Sequence, residues 1–359
     1  MKLQKRYLIL SLGIILVACG LYFNPFTSTR TYLGGSKEIK NSDTNLKIVT
    51  TIAVPGNIVE NIVGSSTNIT TIVSGTTDIH TFTGPTSDQL NKIYEADVIF
   101  AMGIKGAEAW YWDDVAKDNQ SIIDKTVNLT SLADGYVDPL LGGSINPHVW
   151  MDPNVAKRMA NITTSTLIND DPGNAATFTS NNGTFQAKLD QLLVNIQGNA
   201  TILNNTKVVV NHPAFYYLLD LLGIERIAAV EEHEGGGEPG QAHINEIIQT
   251  MNNEGCHLII TNPQHYPAEA IEIARAVSGC KIADMSAIPG EYENWYTSYK
   301  VLDYVSMIEY CIYSLNNPGD PPAEEIPGFL PGLLILFASI TIAFIIKRKN
   351  LKMSSKSIN

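Results

Sequence analysis

The sequence predicts an α/β protein of two lobes, each a parallel sheet flanked by helices, joined by one long rigid helix. Three observations carry this. Short apolar runs alternate with helical patterns over residues 46–172, the same alternation returns over 204–317, and a single apolar seam at helical spacing occupies 173–203 between them. Strands and helices alternating at this spacing build parallel sheets, because each parallel neighbour needs a crossover to return the chain to the same edge.

In the first lobe, "LKIVTTIA" reads as a strand, Pro55 to Gly64 as a helix and "NITTIVSG" as a strand. "TSDQLNKIYEA" then reads as a helix opened by a Ser N-cap and "DVIFAMG" as the next strand. The second lobe repeats the rhythm through "KVVVNH", "FYYLLDLLG", "RIAAVEE", "INEIIQTMNNEG", "HLIITNPQ", "AEAIEIARAVSG" and "KIADM". Between the lobes Phe178, Phe185, Leu189, Leu192 and Ile196 recur at spacings near seven, three and four, so one side of the linking helix is apolar. Asn181, Asn182 and Gly183 weaken the start of that helix.

Both ends of the chain read as membrane-directed. Lys2, Lys5 and Arg6 precede "YLILSLGIILVACGLYF", the basic and apolar regions of a signal peptide or signal anchor over 1–23. Two outcomes stand there: the "LVAC" run resembles a lipobox with Cys19 as the lipidated residue, or the apolar run through Phe23 is kept as an anchor. A polar tether follows over 24–45. At the other end, a Pro-rich tether over 318–328 leads to an apolar stretch over 329–346, long enough for a transmembrane helix. The basic tail over 347–359 then belongs to the cytoplasmic side, which places everything between the two apolar runs outside the cell membrane. Of 24 Lys and Arg, three precede the first apolar run and five follow the last, so the external part carries 16 against all 36 Asp and Glu, a net of −20. Such a surface excludes nucleic acid as a partner and suits an exported domain that attracts cations. Six Asn-X-Thr sequons, at Asn68, Asn128, Asn161, Asn182, Asn199 and Asn204, fit an extracytoplasmic surface. Besides Cys19 the cysteines are Cys256, Cys280 and Cys311; an oxidising compartment would pair two of them, and the sequence leaves the pairing open.

Histidine placement carries the chemistry. His148 sits in "INPHVWMDP", beside apolar Val149 and Trp150, where an imidazole needs a partner for each nitrogen. His80 follows the second strand of the first lobe, and His212 ends the first strand of the second. Parallel α/β sheets bind ligands beyond the carboxyl ends of their strands, and all three histidines fall at or after such ends. Asp284, closing "KIADM", ends another strand and completes four candidate ligands. Three neutral imidazoles and one carboxylate suit tetrahedral Zn²⁺, whereas Mn²⁺ is better served by more oxygens. His233 and His243 flank a solvated Glu/Gly loop, and His257 and His265 read as structural.

Five ordered blocks, "TDIHTFTGPTSDQLNKIYEADVIFAMG", "NPHVWMDPNVAKRMA", "DDPGNAATFTSNNGTFQAKLDQL", "NHPAFYYLLDLLG" and "EPGQAHINEIIQ", make Leu46 to Asn317 resemble the metal-binding solute-binding proteins of zinc and manganese ABC importers, cluster A-I. The resemblance implies a metal site in the cleft between the lobes, held by His80, His148, His212 and Asp284. It implies transport of Zn²⁺, with Mn²⁺ as the alternative, by a monomer serving an ABC permease and its cytoplasmic ATPase. It also implies a Cys256–Cys311 disulfide that leaves Cys280 reduced. Three features depart from the family pattern: Ile79 stands where Pro is usual, Ala-Asp-Met surrounds Asp284 in place of Leu-Asp-Pro, and the C-terminal span is additional. Two other function classes compete. A zinc hydrolase would need an open coordination position and a base, and no HExxH helix is present. A metal-containing surface adhesin or structural protein would use the same fold without transport.

Overall fold

The protein is described by a computed structural model over residues 39–322, apart from 65–68, 76, 232–238, 263, 265–267 and 294–297. Two four-stranded, wholly parallel sheets frame it. In the first lobe β1 (Ile48–Ile52) is buried along its whole length, as a run of β-branched residues on an inner parallel strand should be. Helix α1 (Ala53–Val63) follows it directly and stops at Gly64, whose φ of 86° lets its N–H reach the Glu60 carbonyl. Strand β2 (Ile69–Val73) then leads to α2 (Ser87–Glu95). The cap of α2 is Thr86 rather than the expected Ser87: Thr86 and Gln89 form a reciprocal capping box, and Gln89 also donates to the Ile72 carbonyl at 2.8 Å. Strand β3 (Val98–Ala101), short helix α3 (Gln120–Ile123) and β4 (Thr126–Asn128) complete the sheet in the order β2-β1-β3-β4.

The turn after β3 is organised by a carboxylate that no motif or periodicity singles out. Glu108 is fully buried and accepts from the Thr51 hydroxyl, from the Met102 and Gly103 N–H groups at 2.6 and 3.2 Å and from Trp112 Nε1 at 3.1 Å. Burial pushes its carboxyl pKa up, and the four donors act against that shift. Gly103, at φ 89°, has no room for a side chain, since a Cβ there would lie 2.4 Å from the Thr130 carbonyl oxygen.

Beyond this sheet, hairpin β5 (Tyr136–Asp138) and β6 (Ser144–Asn146) precedes α4 (Pro153–Asp170), whose first turn is capped by Asp152 with Pro153 at the first helical position. The expected linking helix over 173–203 is α5 (Ala175–Leu203), 29 residues and about 44 Å long. All five residues of its predicted seam are buried. Asn181, read as a weak point, is 1% exposed, and its amide clamps the Lys40 backbone and the Ile62 carbonyl.

The second lobe runs β7 (Lys207–Val210), α6 (Tyr216–Leu221), β8 (Glu225–Ala229), α7 (Gln241–Glu254), β9 (Leu258–Thr261), α8 (Ala268–Ala276) and β10 (Lys281–Asp284), with sheet order β10-β9-β7-β8. A hairpin of β11 (Gly290–Glu293) and β12 (Ser298–Val301) and then α9 (Tyr304–Asn316) close it. One apolar cluster runs from the first lobe through α5 to the inner face of the second sheet, taking Val208, Val210, Ile260 and Ala283. A second cluster on the outer face takes Val209, Ile259 and Ile282.

That division corrects the expected disulfide. Cys256 belongs to the outer cluster and Cys311 to the inner, so the sheet stands between them, and Cys256, Cys280 and Cys311 are all buried free thiols. Cys256 Sγ donates to the Lys207 carbonyl and Cys311 Sγ to the Ser286 carbonyl, each at 3.2 Å.

The start of the Pro-rich tether is docked on the second sheet. Gly319 exchanges two backbone hydrogen bonds of 2.8 and 2.9 Å with Ile282, antiparallel to β10. Lys281 reaches Asp320 at 2.5 Å, and Arg275 donates twice to the Pro322 carbonyl. The segments read as signal or anchor, Cys19, most of the N-terminal tether, the apolar stretch over 329–346 and the basic tail lie outside the described residues. Among the described residues no helix is long and apolar enough to cross a membrane.

Candidate metal centre

Each histidine is delivered by the exit of a strand or hairpin. His80 follows β2 in a turn fixed by Asp78, whose Oδ1 accepts from the His80 N–H at 2.9 Å and whose Oδ2 accepts from Thr81 Oγ1 at 2.8 Å. His148 follows β6 and opens a short 3₁₀ turn over Val149–Met151. His212 leaves β7 and opens another over Pro213–Phe215. The expected convergence at the carboxyl ends of the strands is what the fold produces: one nitrogen from each of the three rings lies within 4.8 Å of the others. His148 Nε2 is 3.2 Å from His80 Nε2 and 3.4 Å from His212 Nε2.

The opposite ring nitrogens show why the Nε2 atoms turn inward. His148 Nδ1 lies 3.0 Å from Asn146 Oδ1, and His212 Nδ1 lies 2.8 Å from Glu231 Oε2. Both partners are acceptors, so each Nδ1 carries the proton and each Nε2 keeps its lone pair. With two of these lone pairs turned inward, the three ring nitrogens lie close enough together to hold one cation. The histidines line a cavity of about 10 Å³, the room of a single water-sized sphere, together with Asp78, Ile79, Asn262, Gln264, Ala287 and Ile288.

His148 and His212 are 2% and 1% exposed, while His80 is half-buried. Trp150 holds the His148 turn from behind. It is fully buried, with its ring centre 5.1 Å from that of His148, and its indole donates to the Ala287 carbonyl at 2.6 Å. Its own carbonyl accepts from Tyr304 Oη at 2.5 Å, so the turn is fastened to the second lobe.

Asp284 is not brought into the three-nitrogen group. It lies at the end of β10, 6% exposed, where its Oδ1 accepts from Thr261 Oγ1 at 3.0 Å on the neighbouring strand. Its charge lies near Tyr310, whose phenol is pushed up chiefly by burial and further by that carboxylate. Of the other histidines, His243 Nε2 faces the Ala229 carbonyl at 3.0 Å and His257 is exposed; His233 and His265 lie outside the described residues. Two contributors were missed in sequence. Glu231, read only as the end of the strand candidate "RIAAVEE", stands beside His212, and Asn146, two residues before His148, holds its ring.

The family model described as "Zinc-uptake complex component A periplasmic" matches residues 48–317. The manganese-binding lipoprotein MntA of Halalkalibacterium halodurans is 26% identical over 213 residues, 58% of this chain and 68% of that protein. The manganese ABC transporter substrate-binding lipoprotein PsaA of Streptococcus pneumoniae is 26% identical over 264 residues, 70% of this chain and 80% of that protein. Among solved structures, a zinc-bound deletion mutant of ZnuA superposes with a TM-score of 0.62 at 21% identity, covering 77% of this chain and 99% of that one, which is a likeness of fold. The match over 48–317, taken with three imidazoles converging at the strand ends of two joined α/β lobes, places this chain in the zinc-uptake component A family of metal-binding proteins.

Proposed function

We propose that the protein captures one divalent transition-metal ion outside the cell and delivers it to an ABC importer, as the substrate-binding component and not as an enzyme. The observation that carries this reading is the triangle of Nε2 atoms at 3.2 and 3.4 Å with two Nδ1 positions already committed to acceptors.

Zinc is the metal we favour. Zn–N bonds of about 2.0–2.1 Å at tetrahedral angles put neighbouring ligand nitrogens about 3.3 Å apart, and an all-imidazole trio suits Zn²⁺ better than oxygen-preferring Mn²⁺. Manganese is the alternative metal. The fourth ligand in this reading is Asp284, which leaves Thr261 and turns toward the histidines when metal arrives. The partners are the importer's permease and its cytoplasmic ATPase, and the protein acts as a monomer. It is held at the membrane by its N-terminal segment, through lipid on Cys19 or a retained anchor, and by a second span over 329–346 with the tail over 347–359 inside.

Competitive titration of the purified chain with Zn²⁺, Mn²⁺, Fe²⁺ and Ni²⁺ at neutral pH tests the proposal. One tightly held equivalent of Zn²⁺, lost in His80→Ala, His148→Ala and His212→Ala, is expected. Absence of any tight equivalent would overturn metal capture, and a preference for Mn²⁺ would overturn the choice of zinc.

A further inference from the structure

Asn146 occupies an unusual position between the two lobes. It is fully buried, and every hydrogen-bonding capacity of its side chain is engaged. Its Oδ1 accepts from the His148 backbone N–H at 3.1 Å and from His148 Nδ1 at 3.0 Å. Its Nδ2 donates to Asp138 Oδ2 at 2.9 Å and to the Pro213 carbonyl at 2.8 Å. Pro213 is the residue after His212, so one amide touches the ring of a ligand in the first lobe and the backbone beside a ligand in the second.

The amide cannot turn over. A flip would aim its NH₂ group at the His148 N–H and its oxygen at the Asp138 carboxylate, two repulsive contacts in place of attractive ones. What holds Asp138 is a buried ion pair across the lobes. Arg226, on β8, meets its two carboxylate oxygens at 2.8 and 3.0 Å, with 6% of the Arg226 side chain and none of Asp138 exposed. A planar fork matched to a carboxylate fixes direction as well as distance. The guanidinium lies 4.5 Å from the Tyr216 ring centre, and Tyr216 stacks on Tyr136 at 3.9 Å. The Asn146 carbonyl accepts in turn from Tyr217 Oη at 2.7 Å, so both hairpin strands are pinned to the second lobe.

We propose that Arg226, Asp138 and Asn146 form a buried positioning relay that sets the tautomer of His148 and its separation from His212 before any metal arrives. The inference rests on the metal-capture reading for its purpose, while its geometric content stands on the chain alone. Cross-lobe ligand pairs are ordinarily drawn together by the ion they share. Here two of the three imidazoles are registered by a protein network of named hydrogen bonds, and the ion finds a preset half-site. Outer partners that orient metal-binding imidazoles are generally worth about 10- to 100-fold in affinity, and the relay should fall in that range.

The test uses the full-length chain with two readouts, one of them free of metal. In the metal-free chain, long-range ¹H–¹⁵N imidazole spectra should show His148 as the Nδ1–H tautomer. Asn146→Ala should convert it to a mixture with the Nε2–H form, and Asn146→Asp, which keeps an acceptor for Nδ1 but sets a second carboxylate against Asp138, should keep Nδ1–H while breaking the link to Asp138. With metal, Asn146→Ala should weaken Zn²⁺ binding by about 10- to 100-fold and shift the visible d–d bands of the Co²⁺-substituted protein, while Arg226→Lys, which keeps charge but lacks the fork, should give a smaller loss. An Nε2–H tautomer at His148 in the unmodified chain, or Asn146→Ala with unchanged tautomer and Co²⁺ spectrum, would overturn the relay. Absence of Zn²⁺ and Co²⁺ binding in the unmodified chain, with the Nδ1–H tautomer present and lost on Asn146→Ala, would overturn the capture reading and leave the relay standing. Should Asn146→Ala fail to fold by circular dichroism, Asn146→Asp and Arg226→Lys decide: full Zn²⁺ affinity and unshifted Co²⁺ bands in both would overturn it.

Discussion

Replacing Glu231 separates what its charge does for the metal centre from what its position does. Glu231 Oε2 accepts from His212 Nδ1 at 2.8 Å, while Asn211 Nδ2 donates to Oε1 at 3.3 Å and steadies the carboxylate. A hydrogen bond to a charged acceptor contributes about 1.5–3 kcal/mol and a neutral one about 0.5–1.5 kcal/mol. Glu231→Gln leaves an amide oxygen for Nδ1–H, so it should lose the difference, on the order of 1 kcal/mol at most because the carboxylate is 15% exposed and partly screened. That corresponds to about a fivefold rise in Kd. Glu231→Ala removes the acceptor and frees the ring to rotate, for which a loss of about 10- to 100-fold is expected. Competition against a chromophoric zinc chelator at pH 7.5 reads both. Equal affinities for the Gln and Ala variants would refute the claim that orientation outweighs charge, and an unchanged Kd in Glu231→Ala would refute any part for Glu231 in the site.

Three further outcomes are expected. Glu108→Ala strands four donors in a fully buried pocket, which should cost about 3–5 kcal/mol and lower the thermal midpoint by roughly 10 °C; since Glu108 does not line the metal cavity, Zn²⁺ affinity of the folded fraction should not move. Asp284→Ala should weaken Zn²⁺ binding and open one coordination position, read as a change in the Co²⁺ spectrum, whereas an identical spectrum would remove Asp284 from the coordination shell. Burial pushes the thiols of Cys280 and Cys311 up to about 12 and the Tyr304 phenol well above its ordinary value. The folded state thus holds these protons more tightly than the unfolded chain, so their contribution is fully present below about pH 8.5 and is lost as pH rises toward the folded values. Thermal midpoints should accordingly fall between pH 8.5 and 11, and a thiol reagent should modify Cys256, Cys280 and Cys311 in denaturant but none of these three in the folded chain.

The frame of the molecule was legible because it is written in local periodicity. Alternating strands and helices specify parallel sheets, and the seam from Phe178 to Ile196 specifies the linking helix without any knowledge of its neighbours. His80, His148 and His212 were legible for a related reason: parallel strands deliver their exits to one edge, so residues far apart in sequence share a region once the strands are assigned. The groups that orient those ligands were not. Glu231 reads as no more than the end of the strand candidate "RIAAVEE", and only the exit of β8 brings it beside His212. Asp138 and Arg226 are 88 residues apart, Asn181 and Lys40 are 141 apart, and such pairings leave no periodic trace. The cysteine pairing failed for a topological reason, since spacing along the chain does not say which face of a sheet a side chain occupies.

The docking of Gly319 to Pro322 on β10 also has a mechanical consequence. Strand β10 runs toward the histidines, and the paired tail runs the other way, so tension from whatever follows Pro322 enters the domain at the far end of the sheet. It meets two backbone hydrogen bonds aligned across the pull, which must shear together, backed by the Lys281–Asp320 and Arg275–Pro322 contacts. A tug from beyond Pro322 is thus met first by one edge strand, at the end of the sheet away from the three imidazoles.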